Sequence, residues 1–323
     1  MTGTTFNLSN KKVWVAGHRG MVGQALLRRL ANEGSDVVTV SRSQVDLTDQ
    51  RETEDWVEEV RPEVVFVAAA KVGGILANDT YPADFIRDNL AISQNVIHAS
   101  YRHGVQKLLY LGSSCIYPRD ANQPIAEEEL LSGRLESTNE WYALAKIAGV
   151  KLCQAYRRQH GCNFISAMPC NLYGPGDNFD LKSSHVLPAL IRKAYEAKVN
   201  RLNELHVWGT GKARREFLHV EDCADALVHL IKHYSGERHI NVGTGEDLTI
   251  AELAGKIARE VEFNGEVRFD TSKPDGTPRK VVDVRRLSSM GWNASISIDE
   301  GIRDVCRWYR QHVAKTEADV AYA

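Results

Sequence analysis

The first half of the chain alternates short apolar runs with longer stretches whose apolar positions recur at helical spacing. Val13-Trp14-Val15-Ala16 reads as a strand, Gln24 to Asn32 as a helix and Val37 to Val40 as the next strand. Asp49 with Glu52 three residues on matches a capping box for a helix reaching Val60. Val64 to Ala68 is a strand. Phe85, Asn89, Ile92 and Val96 fall at helical spacing, which predicts a helix over Pro82 to Tyr101 with proline at its start. Lys107 to Leu111 is a strand, Tyr142 to His160 a helix and Asn163 to Met168 a strand. Strands alternating with helices of this length build a parallel sheet with right-handed crossovers.

The pattern changes after Leu172. Tyr173-Gly174-Pro175-Gly176-Asp177 is a turn-rich break. The later segments are shorter and mixed. Leu187 to Lys198, Glu221 to Tyr234 and Thr249 to Val261 read as helices, and Leu205 to Trp208, Ile240 to Val242 and Val267 to Phe269 as strands. Gly209-Thr210-Gly211 is a turn and Lys273 to Pro278 a loop. The expectation is an α/β chain: a Rossmann-type doubly wound parallel sheet over residues 1–172, which also takes back segments around 215–245. A smaller mixed α/β domain over 173–323 follows, mainly for substrate. At 323 residues the chain is long enough for about two domains, and no repeat or low-complexity tract interrupts it.

Gly17-His18-Arg19-Gly20-Met21-Val22-Gly23 follows the first strand and opens the first helix. Glycines there permit a tight turn and close backbone approach to a diphosphate, and the helix N-terminus supplies oriented N–H groups. The spacing is GxxGxxG, a weak signal alone but a specific one at a strand-to-helix junction. An ordinary turn is the competing explanation. A site for NAD usually carries an acid at the end of the second strand. Here that strand ends at Ser41-Arg42. An arginine pairs with a 2′-phosphate that a carboxylate would repel, and Arg19 adds a second charge. NADPH/NADP+ is therefore the expected cofactor, with Asp46 and Leu47 beside the adenine; the competing view of Arg42 is a solvated surface residue.

Charge narrows the partners. A formal net charge of −2 predicts no broad basic face, so nucleic acid and anionic membranes are not expected partners. Residues Met1 to Asn10 are polar, with no apolar core of signal-peptide length. Cys115, Cys153, Cys162, Cys170, Cys223 and Cys306 show no CxxC pair or zinc spacing. No metal is expected, and free thiols in a reducing cytoplasm are the simplest account.

Tyr142 and Lys146 are four residues apart and share a helix face. An ammonium near a phenol, together with an oxidised nicotinamide, stabilises tyrosinate and makes the tyrosine a usable acid or base. Ser113 and Ser114 follow the fourth strand at the carboxyl edge of the sheet, where ligands bind, and a hydroxyl there can hold a substrate carbonyl. YxxxK alone is common; joined to the glycine loop and the Ser-Ser strand end, it resembles the extended short-chain dehydrogenase/reductase family.

Longer stretches sharpen the resemblance. Ala68 to Gly74, Asn78 to Ile86, Leu111 to Pro118, Asn171 to Pro175, Ser184 to Val186, Arg215 to Val220 and Lys273 to Lys280 are similar to the GDP-L-fucose synthase family over nearly the whole chain. That resemblance implies epimerisation of GDP-4-keto-6-deoxy-D-mannose at C3 and C5, then reduction at C4 with NADPH. It assigns catalysis to Ser113, Cys115, Tyr142, Lys146 and His185. It assigns cofactor contacts to the glycine loop, Ala69, Leu111, Gly112, Ser113, Ser114, Tyr142, Lys146, Pro169, Cys170, Asn171, Leu172 and His185. Substrate contacts fall to Asn171, Lys193, Trp208, Arg215, Asp275 and Lys280. Family members often carry threonine where this chain has Cys170, a change that backbone contacts would survive. The stretch Lys198 to Glu204 looks short against relatives, which bears on how the guanine is covered.

The chemistry agrees. A C4 ketone acidifies the hydrogens at C3 and C5, inversion needs a base on one face and an acid on the other, and cysteine and histidine both titrate near neutrality. Without the resemblance, Cys115 would pass for a buried small hydrophobe, His185 for a structural histidine and Lys193 for a solvated helix residue. Two rivals stay open. One is another NAD(P)-dependent nucleotide-sugar epimerase or dehydratase; a 4,6-dehydratase needs an acid beside the strand-end hydroxyl, where this chain has Ser114 and Cys115. A non-catalytic NADP-binding protein commonly lacks the tyrosine or lysine, and both are present. The resemblance also implies a homodimer built from the Pro82–Tyr101 and Tyr142–His160 helices.

Overall fold

The structure is a computed structural model that describes residues 5–273 and 275–315. The start of the polar N-terminal stretch and Pro274 of the predicted loop lie outside the described residues. The chain opens with β1 (Lys12–Ala16), α1 (Met21–Leu30), β2 (Asp36–Val38), α2 (Gln50–Val60), β3 (Val64–Val67), α3 (Ile75–Thr80), α4 (Pro82–Arg102), β4 (Lys107–Leu111), α5 (Glu140–His160) and β5 (Phe164–Pro169). It continues with β6 (Asn171–Tyr173), α6 (Val186–Val199), β7 (Glu204–Trp208), β8 (Arg214–Arg215), β9 (Phe217–His219), α7 (Val220–His233) and β10 (Ile240–Val242). The last elements are β11 (Leu248–Thr249), α8 (Ile250–Glu260), β12 (Glu266–Asp270), β13 (Arg279–Lys280), α9 (Arg285–Ser289) and α10 (Ile298–Tyr309).

Six strands form one all-parallel sheet in the order β10-β5-β4-β3-β1-β2. β3, β4 and β5 are buried at every residue, as expected of strands covered by helices on both faces. α1 packs with α7, and α4 lies between α2 and α5. From β1 the chain steps out to β2, then restarts on the other side with β3. The carboxyl ends of β1 and β3 thus flank the switch point, the crevice where open α/β sheets bind ligands.

A second apolar cluster contains Leu190, Ile191, Leu205, Val207, Leu253, Ile257, Ile302, Val305 and Tyr309. It is roofed by two small sheets, β11-β8-β13 and β12-β7. Leu218, Val220, Leu227, Ile231, Ile240 and Val242 belong instead to the first cluster, with Val13, Phe66 and Leu109. β10 reaches the central sheet through parallel pairing of Ile240 with Ala167 and Val242 with Pro169.

Several elements differ from the sequence expectation. α1 starts at Met21 rather than Gln24, because Gly20 serves as its N-cap. β2 stops at Val38. Only half the expected capping box forms on α2: Asp49 accepts from the Glu52 N–H at 2.9 Å, whereas the Glu52 carboxylate accepts from Asp46 N–H at 2.7 Å. α10 carries both halves of a capping box, Ser297 with Glu300. β6, β8, β9, β11 and β13 have two or three residues each, too short for a period to show.

Gly149 lets α5 lie against the sheet. A Cβ there would meet the Tyr110 ring at 2.3 Å. Gly149→Ala is therefore expected to destabilise the fold by roughly 1–3 kcal/mol through overpacking, measured as a lower urea midpoint. An unchanged midpoint would show that Tyr110 moves aside freely.

Candidate active site

The glycine loop is shaped by close approach. Gly17 has φ +89°, and a Cβ on it would stand 2.5 Å from the Ala69 amide nitrogen at the end of β3. A Cβ on Gly23 would stand 2.2 Å from the Gly17 carbonyl oxygen. These two glycines press α1 down on the switch point. Gly20 caps the helix without a side-chain bond, and the first turn holds no acid. Its N–H groups and the helix dipole face the crevice as a ready anion site, so the cradle fits a dinucleotide diphosphate.

Two cations stand beside it. Arg19 is exposed, its carbonyl accepting from the Gln24 amide at 2.8 Å. Arg42 is 79% exposed and only loosely paired with Asp46, at 3.5 Å. β1 and β2 are parallel neighbours, so the loops carrying Arg19 and Arg42 leave the same edge of the sheet. Asp46 itself is held by Thr48, through N–H at 3.0 Å and Oγ at 2.8 Å. The Leu47 carbonyl accepts from Asn95 of α4 at 3.0 Å.

The end of β4 carries the reactive cluster. Gly112 has no room for a side chain, since a Cβ would meet Met168 Sδ at 2.2 Å. Ser113 caps a short helical turn, Ser114–Ile116, with its Oγ accepting from Cys115 N–H at 3.4 Å. α5 brings Tyr142 and Lys146 to this turn. Lys146 is 3% exposed and donates to the Leu111 carbonyl at 2.9 Å. Its Nζ stands 5.7 Å from the centre of the Tyr142 ring and 5.0 Å from that of Tyr110.

Burial dominates the electrostatics of this cluster. Burial pushes Tyr142 well above its ordinary value, and neighbouring Cys115 and Tyr110 add to the rise. Burial lowers Lys146 to about 8. Cys115 is pushed up by burial, with Lys280, Ser113 and Lys146 pulling the other way. Burial lowers His185. A phenol held protonated is the form that donates to a ketone oxygen during reduction.

His185 arrives on a separate loop at the N-cap of α6. Among the described residues its ring makes no hydrogen bond to the Ser113–Cys115 turn or to Tyr142. It is open to water yet ringed by protein, as on a cleft wall, and that enclosure is what lowers it. The loop is tied to the crevice by the Gly74 N–H donating to the Ser183 carbonyl at 2.9 Å.

The remaining predicted positions form two groups. Pro169 ends β5, and Cys170 is buried with its N–H bonded to the Val242 carbonyl at 2.9 Å. Asn171 and Leu172 lie on β6. Farther out, Lys193 Nζ lies 5.3 Å from the centre of the exposed Trp208 ring, and Arg215 donates to the Asp275 carbonyl at 3.3 Å. Both Asp275 carboxylate oxygens are engaged by Thr210, each at 2.7 Å. The carboxylate thus orders the Gly209–Gly211 turn. Lys280 lies on β13, in register with Arg215 of β8.

Two positioning residues escaped the sequence analysis. Glu216 is fully buried; its carboxylate accepts from Thr244, Gly245 and Val282 N–H at 2.7, 2.7 and 2.8 Å. Its carbonyl accepts from the Asn171 amide at 2.8 Å. One residue, through its carboxylate and its backbone carbonyl, thereby ties together Asn171, the Arg215 segment and the segment that follows Lys280. A glutamate beside the apolar Phe217-Leu218 was the available signal. Asn89 was counted as an apolar-phase helix position, but its amide closes on Lys71 N–H and carbonyl, both at 3.0 Å, and so holds the loop after β3. Among the described residues no three His, Cys, Asp or Glu gather to hold a metal, and no helix is long and apolar enough to cross a membrane.

A match to the NAD dependent epimerase/dehydratase family covers residues 13–243, and a glycine cradle with a Ser/Tyr/Lys cluster is the site such a class requires. The chain is 60% identical over 295 residues to GDP-L-fucose synthase of Sinorhizobium fredii, covering 91% of this chain and 94% of that protein. It is 55% identical to GDP-L-fucose synthase 1 of Arabidopsis thaliana, over 94% of each. A GDP-L-fucose synthetase from Naegleria fowleri solved with NADP bound has a TM-score of 0.89 and 28% identity, covering 96% of this chain and 98% of that one. The chain belongs to the NAD dependent epimerase/dehydratase family and, within it, to the GDP-L-fucose synthases.

Lys146 is an ammonium below about pH 8 and a neutral amine above it. Turnover of the GDP-L-fucose synthase substrate is expected to fall as pH rises through that value. Lys146→Met should abolish the limb and lower turnover by about 10²-fold or more. A flat profile to pH 10 would contradict the assignment.

Proposed function

We propose that this chain converts GDP-4-keto-6-deoxy-D-mannose to GDP-L-fucose, inverting C3 and C5 and then reducing C4 with NADPH. The observation that carries this is the Lys146–Leu111 bond, which draws Tyr142 to the Ser113–Cys115 turn, while His185 comes from another loop. The 60% identity to a GDP-L-fucose synthase supports the same substrate.

Bound NADPH supplies the hydride for C4. The Gly17–Gly23 loop would hold its diphosphate through backbone N–H groups, and Arg19 and Arg42 its 2′-phosphate. Arg215 and Lys193 meet the sugar nucleotide's diphosphate, since arginine suits bidentate phosphate contact. Trp208 offers its exposed face to the guanine. The cofactor falls to residues 1–172 with the returned segments around 215–245, and the GDP-sugar mainly to 173–323.

Cys115 as thiolate takes the proton from C3 or C5. The C–H bond breaks, an S–H bond forms, and the electron pair moves onto the C4 oxygen. Ser113 and Tyr142 donate to that oxygen. His185 as imidazolium returns a proton to the opposite face, which explains why it stands apart from the thiol. Both groups re-equilibrate with water before the second inversion. Tyr142 then gives its proton to the C4 oxygen, and Lys146 steadies the phenolate that remains.

The enzyme acts in the cytoplasm, where its six free thiols stay reduced, and it works as a homodimer. The outer faces of α4 and α5 carry a groove lined by Leu90, Ser93, His98, Ala148, Leu152 and Tyr156, the surface a second copy would cover in a four-helix contact. Light scattering at micromolar concentration should return twice the chain mass; a monomer mass would contradict it.

In D2O the product should carry deuterium at C3 and C5. Cys115→Ser and His185→Asn should each lower that exchange by about 10²–10⁴-fold with the fold intact. Normal turnover in either variant would contradict its acid/base role.

A further inference from the structure

Lys280 occupies an unusual position for a residue whose only task is to contact substrate. It lines a narrow recess with Cys115, Arg119, Gln123, Glu136 and Thr277. Its backbone is held on both sides. β13 pairs with β8, the next residue's N–H donates to the Gln123 side chain at 3.0 Å, and that residue's carbonyl accepts from Ile125 N–H at 2.8 Å. Gln123 and Ile125 continue the segment that begins with the Ser113–Cys115 turn. Lys280 and Cys115 therefore move as parts of one frame.

The recess leaves the ammonium without an acceptor. Among the described residues no carboxylate lies within 4.0 Å of Lys280 Nζ and no hydrogen bond engages it. Glu136, the acid of the recess, is turned to Arg119 at 3.6 Å. A cation held partly away from water with no carboxylate in contact, only Glu136 acting from a distance, is costly. Groups facing Cys115 come from three elements. α5 presents Lys146 and Tyr142, β4 presents Tyr110, and β13 presents Lys280; Ser113 lies on the thiol's own turn, and Arg119 and Glu136 stand across the recess. Of the two lysines, Lys146 is already committed to the Leu111 carbonyl. Lys280 is the one free to answer a negative charge on sulfur. The influence is mutual: Lys280 draws the thiol down, and the thiol draws Lys280 up against burial.

We propose that Lys280 is a positioning residue for the base: its ammonium is the counter-ion that keeps Cys115 as thiolate for proton abstraction next to the C4 ketone. This rests on the assignment of Cys115 as that base. In the step itself the C–H electron pair goes to the enolate oxygen and the proton to sulfur. Lys280 keeps all its protons and loses only its counter-ion. It then faces the new thiol and, nearby, the bound diphosphate.

The test is the thiolate absorbance of Cys115 in the whole protein without substrate, taken as the ultraviolet difference from Cys115→Ser across pH. Lys280→Met should move the midpoint up by roughly one pH unit, a tenfold loss of thiolate near neutrality. Lys280→Arg should keep it near the parent value. The alkaline shift should reappear in the pH profile of deuterium exchange at C3 and C5. An unchanged midpoint in Lys280→Met, with only the substrate KM raised, would reduce Lys280 to a substrate contact and overturn the proposal. So would a parent protein that develops no Cys115 thiolate. Failure of the Cys115 assignment reads out separately, as normal exchange by Cys115→Ser.

Discussion

A buried lysine bonded to a strand-end carbonyl holds this molecule's chemistry together. Lys146 crosses from α5 to the Leu111 carbonyl at 2.9 Å, at the point where β4 stops being a strand. A carbonyl at a strand end would otherwise go unpaired away from water, and a buried ammonium would otherwise have no acceptor; each corrects the other. The bond also fixes the rotation of α5 about its axis. With that rotation set, Tyr142 one turn earlier lies beside Cys115, and Gly149 nearly one turn later must lie on Tyr110. Structure and catalysis are therefore not separable along this helix.

A second tie works at the far side of the cleft. Glu216 closes three backbone N–H groups from two separate segments, Thr244-Gly245 and Val282, around one carboxylate. Burial pushes it up to about 7 while those donors pull it down. It joins the segment bearing Arg215, the strand bearing Lys280 and, through its carbonyl, Asn171. The site is thus assembled from two anchored halves. One belongs to β4 and α5, the other to the loops that return from the second apolar cluster. His185 reaches the cleft between them on a loop tied to neither anchor.

Much of this was legible in the residues. The parallel sheet follows from apolar runs alternating with helical stretches, and the switch point from a glycine loop after the first strand. Tyr142 and Lys146 share a face because four residues make about one turn. Other features are not encoded locally. Short strands such as β8 and β13 exist only because they pair with distant partners. The protonation preference of Tyr142 depends on how deeply Tyr110, Cys115 and the α5 backbone enclose it, which no spacing reveals. Asn89 read as a periodic helix position and Glu216 drew no reading of its own because their partners lie 18 to 66 residues away. Asp275 matched a ligand position in the family pattern, and its engagement with Thr210 appears only in three dimensions.

The central claim is that one site both inverts and reduces. The most direct measurement supplies GDP-4-keto-6-deoxy-D-mannose and NADPH and identifies the product by NMR. The account predicts GDP-L-fucose, with C3 and C5 both inverted and one NADPH consumed per product. A product reduced at C4 with C3 and C5 as in the substrate would contradict it, because Tyr142 and Lys146 would then be working without Cys115 and His185.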